Sequence, residues 1–444
     1  MKNNLTIFFV LAFLLPCLSL KAQQKKVLTL NEAIELSVKN SHQLKGSEAK
    51  IEEATAALKE AVQKKLPDAS VSGSYLRLAT ANFNLKTNSN NNSGGTANET
   101  PKVSQAMYAI ANASLPIYAG GRIRYGIESS EFLEKAAKLD AEDDKDEVIQ
   151  TTIEAFATLF KANSAVRLVK ENLAQSQQRA KDLANLEKNG LLARNDLLKA
   201  ELQSSNIELN LLDAENNLQL ANINMDLMLG LPTATELLLD TTGIDKKEDS
   251  RILDDYMQLA INNRKDIAAL DYRKKAAETG VKIVKGEKYP SLQLTGGYIA
   301  ADIPKVFSVT NALNIGIGVS YNIASLWKNK VKVQQAEARV KQIVATEAMI
   351  DDKLQLEVNK NYFSLLSSRK KIDVYAKALE QAKENYRIVK SKFDNSLATT
   401  TELLEADVAQ LQATLSYTLA KADAFVAYNK LLQTAGVLSK ELLK

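Results

Sequence analysis

Leu313-Asn314-Ile315-Gly316-Ile317-Gly318-Val319-Ser320-Tyr321-Asn322-Ile323 alternates apolar residues with small or polar ones without a break. Successive side chains of a strand point to opposite faces, so one face of this strand is wholly apolar and the other polar or glycyl. A bilayer-crossing strand takes about 9–11 residues at a tilt, and this run is long enough. Leu292, Leu294 and Tyr298 against Ser291, Gln293 and Thr295 give a weaker version of the pattern. Val71 and Tyr75 against Ser70, Ser72 and Ser74 give another, interrupted by Leu76 and Leu78, and the strand ending Ala113-Ser114-Leu115-Pro116-Ile117 is the least regular. In a soluble sandwich the apolar face would meet a second sheet. Here the chain offers about four such strands in two hairpins, whereas a membrane barrel needs roughly eight or more. One chain cannot close a barrel; two would supply eight strands and three would supply twelve. If the strands lie in a membrane, the protein is an oligomer.

The two hairpins stand at matching places in a duplicated chain. Lys65-Leu66-Pro67 with Val71, Gly73 and Tyr75 matches Lys288-Tyr289-Pro290 with Leu294, Gly296 and Tyr298 at a shift of 223 residues, and Leu36 and Asn40 fall on Leu259 and Asn263 at the same shift. Further on, Lys188-Asn189-Gly190-Leu191 with Asp196-Leu197-Leu198 matches Asp394-Asn395-Ser396-Leu397 with Glu402-Leu403-Leu404 at a shift of 206; Phe156 falls on Tyr362 and Gly230 on Gly436. The first copy therefore carries 17 extra residues, which fit the Asn-, Ser- and Gly-rich run Asn82 to Asn98, an exposed loop at a hairpin tip. Each copy reads as a helix of about 37 residues (Leu30 to Leu66, Ile252 to Lys288) stopped by Pro67 or Pro290, two strands, a very long helix (Arg122 to Lys188, Leu326 to Phe393), a short turn, and a last helix to Leu229 or Ala435. The resulting division is a leader over 1–22, a first repeat over 23–231, a link over 232–250, a second repeat over 251–437 and a tail over 438–444.

The long helices are coiled-coil material. Val358, Leu365, Ile372, Leu379, Tyr386 and Phe393 recur every seven residues, and Leu159, Val166, Leu173 and Ala180 hold the matching register. A helix of about 68 residues rises ~100 Å, and the two shorter helices of a repeat nearly equal it end to end. Composition agrees: of 444 residues, 45% are hydrophobic and only 6% aromatic, with 17 Gly and 7 Pro, which favours long helices over a turn-rich all-β protein. Lys2, the apolar run Leu5 to Leu15 and Ser19-Leu20-Lys21-Ala22 read as a secretory signal peptide cut near Ala22. Pro16 before Cys17 argues against a lipoprotein, and removing the leader leaves no Cys and a net charge of +2 rather than +4. That balance gives no argument for nucleic acid. One His and no mature Cys exclude a disulfide framework and Cys/His zinc sites. No helix is apolar for long enough to span a bilayer, so a membrane location must rest on the strands.

This order of elements, doubled, with a Pro at each helix-to-strand junction and turn segments around Gly190 and Leu397, resembles the TolC family of outer-membrane efflux proteins across nearly the whole mature chain. Phe393-Asp394-Asn395-Ser396-Leu397-Ala398 with Glu402-Leu403-Leu404-Glu405 looks like the family's second helical hairpin turn. The resemblance implies a mainly α chain with a membrane β-barrel part: a homotrimer with a twelve-stranded barrel in the outer membrane and a coiled-coil tunnel in the periplasm. It also implies outer-membrane lipid around the barrel, docking with a periplasmic adaptor protein and an inner-membrane pump, and no cofactor. The family's pore constriction carries acidic side chains on the last helix, and Glu402 and Glu405 align with them, three apart and so on one helix face. The alternative is that they are solvated acids at a helix start, favoured there by the macrodipole. The turns containing Asn189, Gly190, Leu191 and Asn395, Ser396, Leu397 are the implied adaptor-contact surface, although Asn-Gly at a helix end is also ordinary cap chemistry. Some members hold the closed gate with a Tyr hydroxyl and an Arg at this turn; Phe393 and Ala398 stand in those places here and supply neither group.

Enzymatic readings find no support. There is no GxxxxGK[ST] loop for a nucleotide phosphate. His42 is the sole His, and the adjacent pairs Glu52-Glu53 and Asp143-Asp144 point in different directions on their helices. Trp327, just after a strand, stands where interfacial aromatics of membrane proteins sit. The competing class is a secreted coiled-coil structural or adhesin-like protein without a pore. Such a protein has no use for bilayer-length strands at matching places in both repeats.

Overall fold

The computed structural model describes residues 25–81, 103–240, 251–304 and 307–442. The leader, the Asn-rich run at 82–98 and residues 241–250 of the inter-repeat link 232–250 lie outside them. In chain order the elements are β1 (Lys25–Leu28), α1 (Leu30–Asn40), α2 (His42–Gln63), β2 (Asp68–Ala81), β3 (Val103–Tyr118), α3 (Arg122–Lys188), α4 (Arg194–Leu229), β4 (Glu236–Leu239), α5 (Leu253–Asn263), α6 (Lys265–Gly286), β5 (Ser291–Ile303), β6 (Phe307–Ser320), α7 (Ser325–Asp394), α8 (Thr400–Thr434) and α9 (Leu438–Leu442). The chain forms two compact units. One holds residues up to Lys45, Asp143–Arg264 and Lys353–Lys444; the other holds Gly46–Glu142 and Lys265–Asp352.

The second unit contains the four-stranded antiparallel sheet, in the order β2-β3-β5-β6. Its register sets Val71 opposite Ala111, Ala111 opposite Tyr298 and Tyr298 opposite Leu313; Leu115 opposes Leu294 and Leu294 opposes Ile317. Directly opposed residues share a face, so the apolar positions of all four strands join into one surface. That surface is uncovered in the single chain, with Leu313 81% and Ile315 79% exposed. The sheet is open: among the described residues, β2 and β6 each pair on one side only. Beneath it, Gly120 (φ +63°) and Gly286 approach so closely that a Cβ on either would lie 2.3–2.5 Å from the other's carbonyl oxygen. Only glycine permits that crossing. The first part of α3 packs on α6, with Phe132 stacked on Tyr272 at 6.2 Å and Ser129 Oγ donating to the Ala276 carbonyl.

The first helix of each repeat is not continuous, which corrects the expectation of single helices over Leu30–Leu66 and Ile252–Lys288. The chain breaks at Ser41 (ψ 122°) and Arg264 (ψ 125°). The cause is tertiary. Asn40 Nδ2 donates to the Leu229 carbonyl at 2.6 Å, so it satisfies an open carbonyl at the end of α4, and Gly230 packs against the Asn40 side chain. The second repeat does the same with different atoms. Gly436 (φ +68°) sits on the backbone of Asn263 and Arg264, with its missing Cβ position 2.8–2.9 Å away, and Asn263 Oδ1 accepts from Lys440. The aligned pairs Asn40/Asn263 and Gly230/Gly436 are one contact made twice.

A parallel pair, β1 with β4, was not legible in the sequence and lies partly within the segment read as a link. Leu28 and Leu237 from it join Ala33, Phe156, Leu159, Met225 and Leu229 in the core of the first unit. The heptad positions Leu159, Leu173, Val358 and Leu365 are buried, as a coiled-coil seam requires.

Candidate functional site

The ends of α3 and α7 share one backbone design. Gly190 N–H donates to the Glu187 carbonyl and Leu191 N–H to that of Leu186; 206 residues on, Ser396 N–H donates to Phe393 and Leu397 N–H to Lys392. These paired bonds to the third and fifth residues back are those of a Schellman cap, with Gly190 at φ +73° and Ser396 at φ +61° in the left-handed position. The residue after it, Leu191 or Leu397, stands 73% or 77% exposed, where this motif ordinarily turns its apolar side chain back onto the helix. Asn189 and Asn395 are exposed beside them, and Asn395 Nδ2 bonds the Ser391 carbonyl. Behind the turns Leu183, Leu197 and Ala200 form a small core against which Phe393 and Leu404 pack.

Glu402 and Glu405 are both exposed on the first turns of α8. Glu402 is engaged. Its carboxylate accepts from the Thr399 N–H at 2.7 Å and from the Thr399 hydroxyl at 2.9 Å, while Thr399 Oγ1 accepts from the Glu402 N–H at 3.2 Å. This is a capping box. The Thr399 backbone N–H, then its hydroxyl, hold the Glu402 carboxyl below the usual carboxylate range. Glu402 thus stays ionised, with its orientation set by the cap. Two of its acceptor bonds are spent on the helix end, and the rest of its charge faces solvent.

Two to three turns behind the tips lies a polar cluster that sequence reading missed. Arg179 on α3 makes a bidentate pair with Asp407 on α8 (3.0 and 3.2 Å) and donates to the Tyr386 hydroxyl on α7 at 2.9 Å. Asn172 donates to the same carboxylate at 3.3 Å. The Arg179 and Asp407 side chains are 11% and 3% exposed. Burial alone would lower the Arg179 pKa; the Asp407 hydrogen bonds and charge outweigh it and raise it. One signal was available: Asp407 interrupts the run Ala406–Val408 in an otherwise apolar register, but its partner lies 228 residues away.

Asp226 near the end of α4 is a second buried acid. It is fully buried, Asn222 donates to its Oδ2 at 3.0 Å, and Oδ1 has no partner. Burial pushes its pKa up to about 6, against a smaller lowering by the Thr235 backbone. His42 opens α2, and Trp327 is exposed on the first turn of α7. Among the described residues there is no cluster of metal-ligating side chains, and no helix is long and apolar enough to cross a membrane.

The described residues thus hold an open four-stranded sheet with an exposed apolar face and two long helical hairpins, α3–α4 and α7–α8. The profile of the outer membrane efflux protein family matches residues 33–231 and 256–437, and the chain belongs to that family. It is an outer-membrane efflux channel, with its helical part in the periplasm. Solved structures agree on the fold. VceC from Vibrio cholerae is 18% identical, with 92% of this chain and 96% of that one covered at a TM-score of 0.75. The CmeC outer-membrane channel of Campylobacter jejuni is 19% identical, with 92% and 86% covered at 0.76. The open state of the Neisseria gonorrhoeae MtrE channel is 17% identical, with 92% and 89% covered at 0.71. No curated protein sequence matches.

Proposed function

We propose that three copies of this chain assemble into a passive export duct, the outer-membrane part of a tripartite efflux or secretion system. The single observation that carries the trimer is the open sheet, with its uncovered apolar face and with edges at β2 and β6 that find no partner strand among the described residues. An exposed edge of this length needs a partner strand, and three copies give a closed barrel of twelve. The helices support the same reading. Leu198, Leu202, Leu209, Leu220 and Leu227 on α4 are all exposed and fall within about 40° of one line along the helix at 3.6 residues per turn. Leu356, Phe363 and Val374 on α7 form a similar stripe. Such stripes belong against a neighbouring helix. The repeat boundaries, 23–231 and 251–437, then mark two equivalent arms per copy, with 232–250 linking them and 438–444 as a tail.

In this reading the turns carrying Asn189, Gly190, Leu191 and Asn395, Ser396, Leu397 meet a periplasmic adaptor, and through it an inner-membrane pump. The two exposed leucines are the apolar anchors. Glu402 and Glu405 from three chains place six carboxylates around one opening, where they favour cations. The test is planar-bilayer conductance of parent and Glu402→Gln/Glu405→Gln, the amide at 402 being chosen because it preserves the capping box. The parent should be cation-selective and blocked by a polyvalent cation from the periplasmic side, and the variant should lose much of both. Equal block and equal selectivity would remove these residues from the constriction. Recovery of the parent as a soluble monomer would remove the duct itself.

A further inference from the structure

The exposed stripes of α4 and α7 lie in the same compact unit, and each is turned away from its own hairpin. On α4, Leu220 and Leu227 stand roughly opposite Ile207, Met225 and Leu229, which are buried. On α7, Phe363 and Val374 stand roughly opposite the buried Leu354, Val358 and Leu365. The other two helices of the hairpins lack such a stripe. Among the described residues of this unit, α3 exposes no large apolar side chain and α8 only Val408.

The two helices carry opposite charge. From Ala200 to Leu229 every charged residue of α4 is an acid, and Asp213 lies within the leucine stripe itself. From Lys353 to Lys392, α7 holds ten Lys and Arg against four Asp and Glu, with Lys370 and Lys377 on the line of Phe363 and Val374. Asp213, Lys370 and Lys377 are all exposed. A two-fold contact through either stripe alone would set acid on acid or cation on cation. A closed ring sets the α4 face of one copy on the α7 face of the next, where the charges attract. Heights along the hairpins agree. Arg179, nine residues before the end of α3, bonds Tyr386, eight residues before the end of α7, so the two tips lie about level. At 1.5 Å per residue, Asp213 lies about 29 Å from the tip along α4 and Lys377 about 26 Å along α7. Phe363, at about 47 Å, falls between Leu220 at about 39 Å and Leu227 at about 50 Å. Rotation about the axis of a ring moves nothing along that axis, so residues meet across copies at the height they hold in one.

We propose that the outer face of α4 in each copy docks on the outer face of α7 in the next copy, with Asp213 against Lys377 and Phe363 seated between Leu220 and Leu227. This seam rests on the three-copy ring proposed above and assigns its contact to one pair of helices. The apolar residues supply the buried area, and the opposite charges select the neighbour and its register.

The experiment is site-directed cross-linking of the full chain in membranes. Cys17 is the one Cys and lies in the segment read as a leader, so introduced thiols stand alone. Channels carrying Asp213→Cys with Lys377→Cys are treated with a short bis-maleimide and run denatured, while native mass spectrometry of untreated channels gives the assembly. Each copy is joined to both neighbours, so the double variant should yield covalent trimers and either single variant should yield monomers only. Asp213→Cys with Lys383→Cys is the control, since position 383 is exposed but lies about 120° round α7 from position 377. It should stay monomeric when denatured. Assembled trimers in which 213 and 377 do not cross-link overturn the α4–α7 seam and leave the duct standing. Equal yield from the two double variants marks random collision and overturns it too, as does a covalent dimer from Asp213→Cys alone, which would place α4 on α4. A monomer by native mass spectrometry removes the ring, and the seam with it.

Discussion

The two hairpin turns, Lys188 to Arg194 and Asp394 to Thr400, share their hydrogen-bond skeleton and differ in which end is reinforced. In the first, Gly190 takes the left-handed position without strain, but the next helix starts at Ala193 with no side-chain cap. In the second, Ser396 is held in that conformation with a Cβ, and the next helix starts with the Thr399–Glu402 capping box. One turn is easy at its exit and bare at its entry; the other is the reverse. The backbone path is what the duplicated chain keeps, and different residues stabilise it in each copy. The same contrast recurs deeper. Position 226 is a buried acid in the first repeat, and its counterpart 432 is a buried Leu.

The largest effect is expected where the two hairpins are tied together. Asp407→Ala leaves Arg179 buried without its counter-charge and should destabilise by about 3–5 kcal/mol. The double variant Asp407→Leu/Arg179→Met should recover most of that loss. Chemical unfolding of the parent, Asp407→Leu, Arg179→Met and the double variant measures the coupling, and a mild effect of Asp407→Ala would show the hairpins to be tied elsewhere.

Next comes the acid that the second repeat lacks. The Asp226 pKa is raised to about 6 from an ordinary 3.8, so the folded state binds the proton more tightly than the unfolded one. Its contribution is fully present below pH 3.8 and is lost as pH rises through about 6. Asp226→Asn should therefore stabilise the protein above pH 6 by roughly 1–3 kcal/mol, since each tenfold gain in proton affinity on folding is worth ~1.4 kcal/mol. It should also flatten the pH dependence of Tm between pH 4 and 6. Parallel pH profiles of parent and variant would refute the assignment.

Exchanging the turn residues gives smaller changes of opposite sign. Gly190→Ser should cost about 1 kcal/mol and Ser396→Gly should gain a similar amount, since only a residue with a Cβ resists the left-handed conformation. At the helix starts, Thr399→Ala should cost ~1 kcal/mol, whereas Ala193→Thr should gain up to that much. Thermal unfolding resolves both pairs. Equal responses at the two turns would mean that flanking contacts, not local caps, hold them.

Much of this was legible because it is local or periodic. The alternation from Leu313 to Ile323, the seven-residue spacing from Val358 to Phe393 and the prolines at 67 and 290 each impose their element on the chain wherever it sits. The duplication was legible because two copies of one pattern leave aligned residues. The breaks at Ser41 and Arg264 were not, although Asn40 and Asn263 were visible as an aligned pair. Neither residue forces a helix to end; the ends of α4 and α8 do so by presenting a carbonyl or a glycine backbone to it. Of the candidate site, the turns and the acids were readable in sequence. That Glu402 is bound into a capping box follows from Thr399 three residues before it, a local signal that the pore reading of the same carboxylate overshadows.

Sequence by itself determined the kinds of element, their order, their doubling and the impossibility of one chain satisfying its own strands, because each depends on side-chain periodicity or on counting. The tertiary structure alone decided which distant residues became partners. Arg179 met Asp407 and Tyr386, β1 met β4, and Gly120 met Gly286. A polar side chain is satisfied or orphaned by whatever the fold brings to it across scores or hundreds of residues, and no local pattern carries that information.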